Sequence, residues 1–182
     1  MSSEAQDARA IAGEAVPVLP DGISQQQIGA AVSKLISASI GDICVVMSKS
    51  TAHKFHSLAD IEWMVMPAVL CGQFYVGAAA STDRGFTAPV AIITWARVSE
   101  ELDRRLSSGA SGPMRLKPDE WTSGDHYWLI DTAGAPGVIA AALHDLAKSQ
   151  FAGKTVKVRT TSGVTTLAAV ISSGTAAAGG AT

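Results

Sequence analysis

Apolar positions Ile28, Val32, Leu35, Ile36, Ile43, Val46 and Met47 recur at roughly helical spacing and predict a helix from Ser24 to about Met47. Ser24 with Gln27 three residues on has the form of a capping box, and Ile23 with Ile28 that of a hydrophobic staple. Gly41 interrupts the stripe, so one helix or two shorter ones fit it. A polar break, SKSTAHKFH, follows. Ser57 with Asp60 then marks a second helix start, with Leu58, Ile61 and Val65 on one face ahead of Pro67.

The period then changes. Residues 72–80 and 87–97 read as two strands joined by the turn STDRGF, and TAPVAIITWARV is apolar almost throughout, as a strand covered on both faces would be. Ser99 opens a short helix ending near Ser107–Gly109. Residues 109–124, with three glycines and two prolines, predict a long loop. DHYWLIDTA predicts a strand ending at Asp131, and residues 137–150 a helix with Ile139, Leu143 and Leu146 on one side. TVKVRT and VTTLAAVI predict a closing hairpin around Ser162–Gly163. Strands separated by helices imply an α/β layered domain with a mixed central sheet, here residues 23–172. Residues 1–22 are expected to be a flexible tail and residues 173–182 a disordered Gly/Ala tail.

Composition narrows the function classes. The 182 residues are 47% apolar, enough for one core and too apolar for wholesale disorder. A net charge of −2 argues against a nucleic-acid partner, whose phosphates call for a basic surface. Cys44 and Cys71 sit in apolar runs without a metal or redox spacing, which predicts buried, reduced thiols and a cytoplasmic location. The first residues lack the apolar stretch of a signal peptide. The runs 63–82 and 160–182 are too interrupted or too weakly apolar for transmembrane segments, so no membrane span is expected.

Two groups could carry chemistry. His53 lies in the polar break between two buried segments, a place that fixes a ring yet keeps it reachable. Asp131 stands at the predicted carboxyl end of a central strand, where open α/β sheets build sites. Such a carboxylate either caps the next segment or orients an imidazole, with His53 as the partner. His56 is three residues from His53, but a third metal ligand at recognisable spacing is missing, so no metal is expected. His126 starts the strand that Asp131 ends, and His144 falls on an amphipathic helix surface. Neither a Walker loop, a GxSxG elbow nor the phosphate loop of coenzyme A acetyltransferases is present.

Four blocks carry a family resemblance: SKSTAHK, DIEWMVMPAVLCGQF, PVAIITWARVSEE and, most specific, PDEWTSGDHYWLID. Over roughly residues 28–160 the chain resembles the toxin-activating lysine acyltransferases, the family that includes the hemolysin activator encoded beside RTX toxins. The resemblance implies a GNAT-like fold and transfer of a fatty acyl group from acyl carrier protein to internal lysines of a protoxin in the cytoplasm. It places the catalytic histidine at His53, the catalytic aspartate at Asp131 and a supporting serine at Ser50. Donor contacts are assigned to Trp95 in the matched strand and to Lys157 and Arg159, with Lys154 beside them, as the basic surface an acidic carrier needs. No bound cofactor is implied, since the acyl carrier protein thioester is a substrate; a homodimer is left open. Two departures stand out: Thr51 replaces a proline of the catalytic turn, and AGAPGV after Asp131 lacks the family's aromatic. The alternatives are a non-catalytic GNAT-like binding module and a small-molecule N-acyltransferase using acyl-coenzyme A.

Overall fold

The protein is described by a computed structural model that covers residues 24–80, 85–108 and 114–178. The predicted N-terminal tail, Ile23 of the expected staple and the end of the Gly/Ala tail lie outside the described residues. Helix α1 spans Gln25–Lys49 without a break, so Gly41 is accommodated inside one helix. Its start is the capping box read from the sequence: Ser24 Oγ accepts from Gln27 N–H at 3.2 Å, and Gln27 Oε1 accepts from Ser24 N–H at 2.8 Å. Short turns follow. A 3₁₀ turn at Leu58–Asp60 runs into α2 (Ile61–Met64) and α3 (Met66–Leu70), with Pro67 in the first turn of α3, where its missing N–H costs nothing.

Strands β1 (Phe74–Ala80), β2 (Thr87–Val98), β3 (His126–Gly134), β4 (Val156–Thr160) and β5 (Gly163–Thr166) form one sheet in sequence order. Only β3 and β4 run parallel, linked through α5 (Pro136–Lys148); α4 (Glu100–Ser107) connects β2 toward β3. This mixed sheet with helices on both faces is consistent with the GNAT-like layout that the resemblance implies. On one face Ile93, Trp95, Tyr127 and Leu129 pack with α5, Phe151 and Leu167. On the other, Ile92 and Ala133 meet Ile43, Val46 and Met47 of α1, while Ala96, Val98 and Trp128 meet α4 and Trp121. Each such fully buried large side chain is worth roughly 1.5–3 kcal/mol, and together they hold the site's supporting elements in place.

Several expectations are corrected. Strand β3 does not end at Asp131 but runs on to Gly134, because the long β2 offers pairing partners that far, Ala91 opposite Gly134. Gly134 has φ 129°, and any Cβ there would collide with the Val90 carbonyl, so this crossing requires glycine. The second arm of the closing hairpin stops at Thr166, and LAAVI opens helix α6 (Leu167–Ala178) instead. Thr166 Oγ1 accepts from Ala169 N–H at 3.3 Å as a cap, and Leu167 and Ile171, one turn apart, pack on the α5 side of the core. The helix therefore continues into the expected tail as far as Ala178. Cys71 is exposed rather than buried, because it caps α3 at the turn before β1; Cys44 is half-buried. Helix α1 is also long and apolar enough to cross a membrane by length and composition, a test the sequence reading applied only to two other runs. Its Ile43, Val46 and Met47 are core residues.

Candidate active site

The end of α1 delivers Ser50. Its backbone is extended (φ −81°, ψ 129°) and breaks the helix, and its carbonyl then accepts the N–H groups of His53 and Lys54 at 3.1 and 2.9 Å. That turn buries the His53 ring and aims it at the sheet. Asp131 arrives from β3 through a bulge. Thr94 pairs with Asp131 and Trp95 with Leu129, so Ile130 is the extra residue. Consecutive strand residues ordinarily face opposite sides of a sheet; the bulge lets Ile130 and Asp131 line the same cavity.

His53 Nε2 lies 3.0 and 2.9 Å from the two Asp131 carboxylate oxygens, and His53 Nδ1 lies 2.8 Å from Ser50 Oγ. Asp131 Oδ1 also accepts Thr132 N–H at 2.8 Å. An ionised carboxylate can only accept, so Nε2 carries a proton and the lone pair of the neutral ring sits on Nδ1, facing the serine hydroxyl. The hydrogen bond to Asp131 raises the His53 pKa above 6.5; burial opposes this, and the carboxylate's charge adds to it. The ring is thus tuned to hold a proton more firmly than a free histidine. His56 stacks beside it with ring centroids 5.9 Å apart and donates from Nδ1 to the His53 carbonyl at 3.1 Å.

Two cavities flank this cluster. One, about 240 Å³, is lined by His53, Asp131 and His56 and by the apolar side chains of Trp63, Met64, Met114, Trp121 and Ile130. The other, about 400 Å³, opens beside Ser50 and Thr51, with Lys49, Pro89, Val90 and Gly134 around it. Sequence reasoning missed the apolar wall of the first. Its signal was present in DIEWM and PDEW, where Trp63 and Trp121 stand near the matched motifs, but spacing does not show that they face each other.

The structure therefore brings Ser50, His53 and Asp131 together and does not bring Trp95, Lys157 or Arg159 to them. Trp95 is a core residue, edge-on to Phe151 at 5.3 Å on the α5 face, opposite the site. Lys157 donates to Asp103 at 2.7 Å, and Arg159 donates to the Leu106 carbonyl at 2.8 Å, so both fasten β4 to α4. Lys154 donates to the Tyr127 hydroxyl at 2.7 Å. Lys49 and Lys54 instead bracket the Ser50–His53 turn. Among the described residues no group of three or more His, Cys, Asp or Glu side chains is placed to hold a metal ion.

Comparison with known proteins follows the same residues. Positions 34–172, about three quarters of the chain, match the sequence model of the RTX toxin acyltransferase family. The chain belongs to that family. Among curated proteins it is similar to the RTX-II toxin-activating lysine-acyltransferase ApxIIC of Actinobacillus pleuropneumoniae, 29% identical over 92 residues, 50% of this chain and 52% of that protein. It is also similar to the RTX-I toxin-activating lysine-acyltransferase ApxIC of the same organism, 29% identical over 112 residues, 62% and 59% of the two chains. The chain thus spans between half and three fifths of the length of these relatives. In this member of the RTX toxin acyltransferase family, the matched segment contains Ser50, His53, Asp131 and the whole sheet.

Proposed function

We propose that the protein transfers a fatty acyl group from an acyl carrier protein thioester to lysine side chains of an RTX-protoxin-like acceptor in the cytoplasm. The observation that carries this reading is an imidazole held between a carboxylate and a hydroxyl and lining a cavity that also has Trp, Met and Ile walls. A lysine amine, with a pKa of about 10.4, is mostly protonated at neutral pH and must shed a proton before it can attack. As the neutral amine adds to the thioester carbon, its remaining surplus proton passes to Ser50 Oγ while the serine proton passes to His53 Nδ1. Asp131 stabilises the resulting imidazolium. The carbon–sulfur bond then breaks, the amide remains on lysine, and the imidazolium returns its proton to the departing thiolate.

The test is to incubate the purified protein with an acyl carrier protein thioester and a lysine-bearing RTX-protoxin fragment and read the acceptor by intact mass and peptide mapping. The expected result is one acyl increment per modified lysine, faster with the carrier protein than with a coenzyme A thioester of the same chain. Absence of any donor-dependent increment, or equal rates with the two donors, would refute the reading.

A further inference from the structure

We propose that the 240 Å³ cavity beside His53 is an acyl-chain pocket, walled in part by Trp63, in which Met114 sets how much of a saturated chain is sheltered. The inference rests on the acyl-transfer reading and adds to it a ligand site and a residue that governs specificity. The cavity's chemistry is divided. His53, His56 and Asp131 supply its polar lining, and Met64, Met114, Ile130 and two indoles its large apolar one. A thioester carbon placed at the polar lining would direct its hydrocarbon along the apolar wall, where burying each methylene is favourable. The larger cavity is lined by Ser50 and so lies on the Nδ1 side, where the amine must deliver its proton, so it suits the acceptor.

The Trp63 wall is built rather than incidental. Trp63 Nε1 donates to Asp60 Oδ1 at 2.9 Å, and Asp60 Oδ2 in turn accepts Ser57 N–H and Oγ–H at 2.8 and 2.9 Å. The Arg115 guanidinium lies 4.5 Å from the centre of the Trp63 ring, a cation–π contact that ties the residue next to Met114 to the Trp63 wall. Methionine, unbranched and polarizable, can shape itself to a chain of varied length. A cavity of 240 Å³ equals the liquid volume of roughly eight waters, which shelters about eight chain carbons of similar size. Longer chains would extend past Met114.

The experiment measures binding of S-alkyl pantetheine thioethers of increasing chain length to the full chain, by calorimetry and tryptophan fluorescence. These thioethers cannot transfer an acyl group, so the result is independent of catalysis. Affinity should rise about four-fold per added methylene and then level off at roughly eight carbons. Met114→Ala should move that break to longer chains, Met114→Trp to shorter ones, and circular dichroism would confirm both variants folded. Affinity that ignores chain length, or a break that both variants leave in place, would overturn the proposal. Chain-length-dependent binding without lysine modification would support the pocket and count against the transfer reading alone.

Discussion

Two carboxylates lean on strand β3 and each holds a basic partner, yet they differ in what they can do. Asp103 of α4 accepts the buried Trp128 indole N–H at 2.8 Å and the Lys157 ammonium at 2.7 Å. Burial pushes its pKa up, but the Lys157 and Trp128 hydrogen bonds outweigh that and hold it below the usual carboxylate range. Neither partner has a lone pair to take a proton at neutral pH, so this cluster can only fasten α4 to the sheet. Asp131 pairs instead with an imidazole whose second nitrogen meets a serine hydroxyl, and both residues line a cavity. A paired carboxylate at a sheet is therefore not in itself a site. A partner that can exchange a proton, and space beside it, make the difference.

Breaking each cluster should give opposite results. His53→Ala should reduce lysine acylation about 10⁴-fold, the upper range for a general acid–base group, with little change in thermal unfolding. Asp103→Ala should leave the catalytic cluster intact but cost about 3 kcal/mol of stability, since it strands a buried indole N–H and an ammonium. Denaturant titration and mass-spectrometric acylation assays on both variants check this. Loss of activity from Asp103→Ala in the folded protein would erase the distinction.

Asp131→Asn sharpens the comparison within one cluster. The amide keeps the shape, removes the charge and can present N–H groups to Nε2, favouring the wrong tautomer, so acylation should fall about 10³-fold. Ser50→Ala should cost less, about 10²-fold, because a water can replace the hydroxyl between amine and Nδ1. His56→Ala should cost below about ten-fold, under the range of a general acid–base group, since His56 supports the His53 turn from outside the relay. Initial rates for the three variants at matched donor and acceptor concentration give the order directly.

The sequence made most of the scaffold legible because local signals agreed with tertiary packing. Ser24 and Gln27 form the expected capping box, and the nearly continuous apolar run of β2 lies largely buried between β1 and β3. Reading stopped where nonlocal pairing decides. The length of β3 past Asp131 and the bulge at Ile130 depend on the register with β2, which no β3 residue reveals alone. LAAVI is apolar enough for either strand or helix, and contact of Leu167 and Ile171 with the α5 face settles it as helix. For the candidate site, the motifs singled out His53, Ser50 and Asp131, and these three meet in the structure. Trp95, Lys157 and Arg159 lie apart from them, because residue type shows neither which face of a sheet a side chain takes nor that a nearby acid or carbonyl has claimed it.

The pH dependence of lysine acylation, measured for the native protein and for Asp131→Asn, tests the central claim most directly. In the proposed relay His53 must be neutral to accept the proton, and its bond to Asp131 raises its pKa, so native activity should rise with pH through a midpoint above 6.5. The residual activity of Asp131→Asn should rise at lower pH, because the supporting charge is gone while burial still favours the neutral ring. A native midpoint at or below 6.5, or one that Asp131→Asn leaves unmoved, would contradict the assignment of His53 and Asp131 as the working pair.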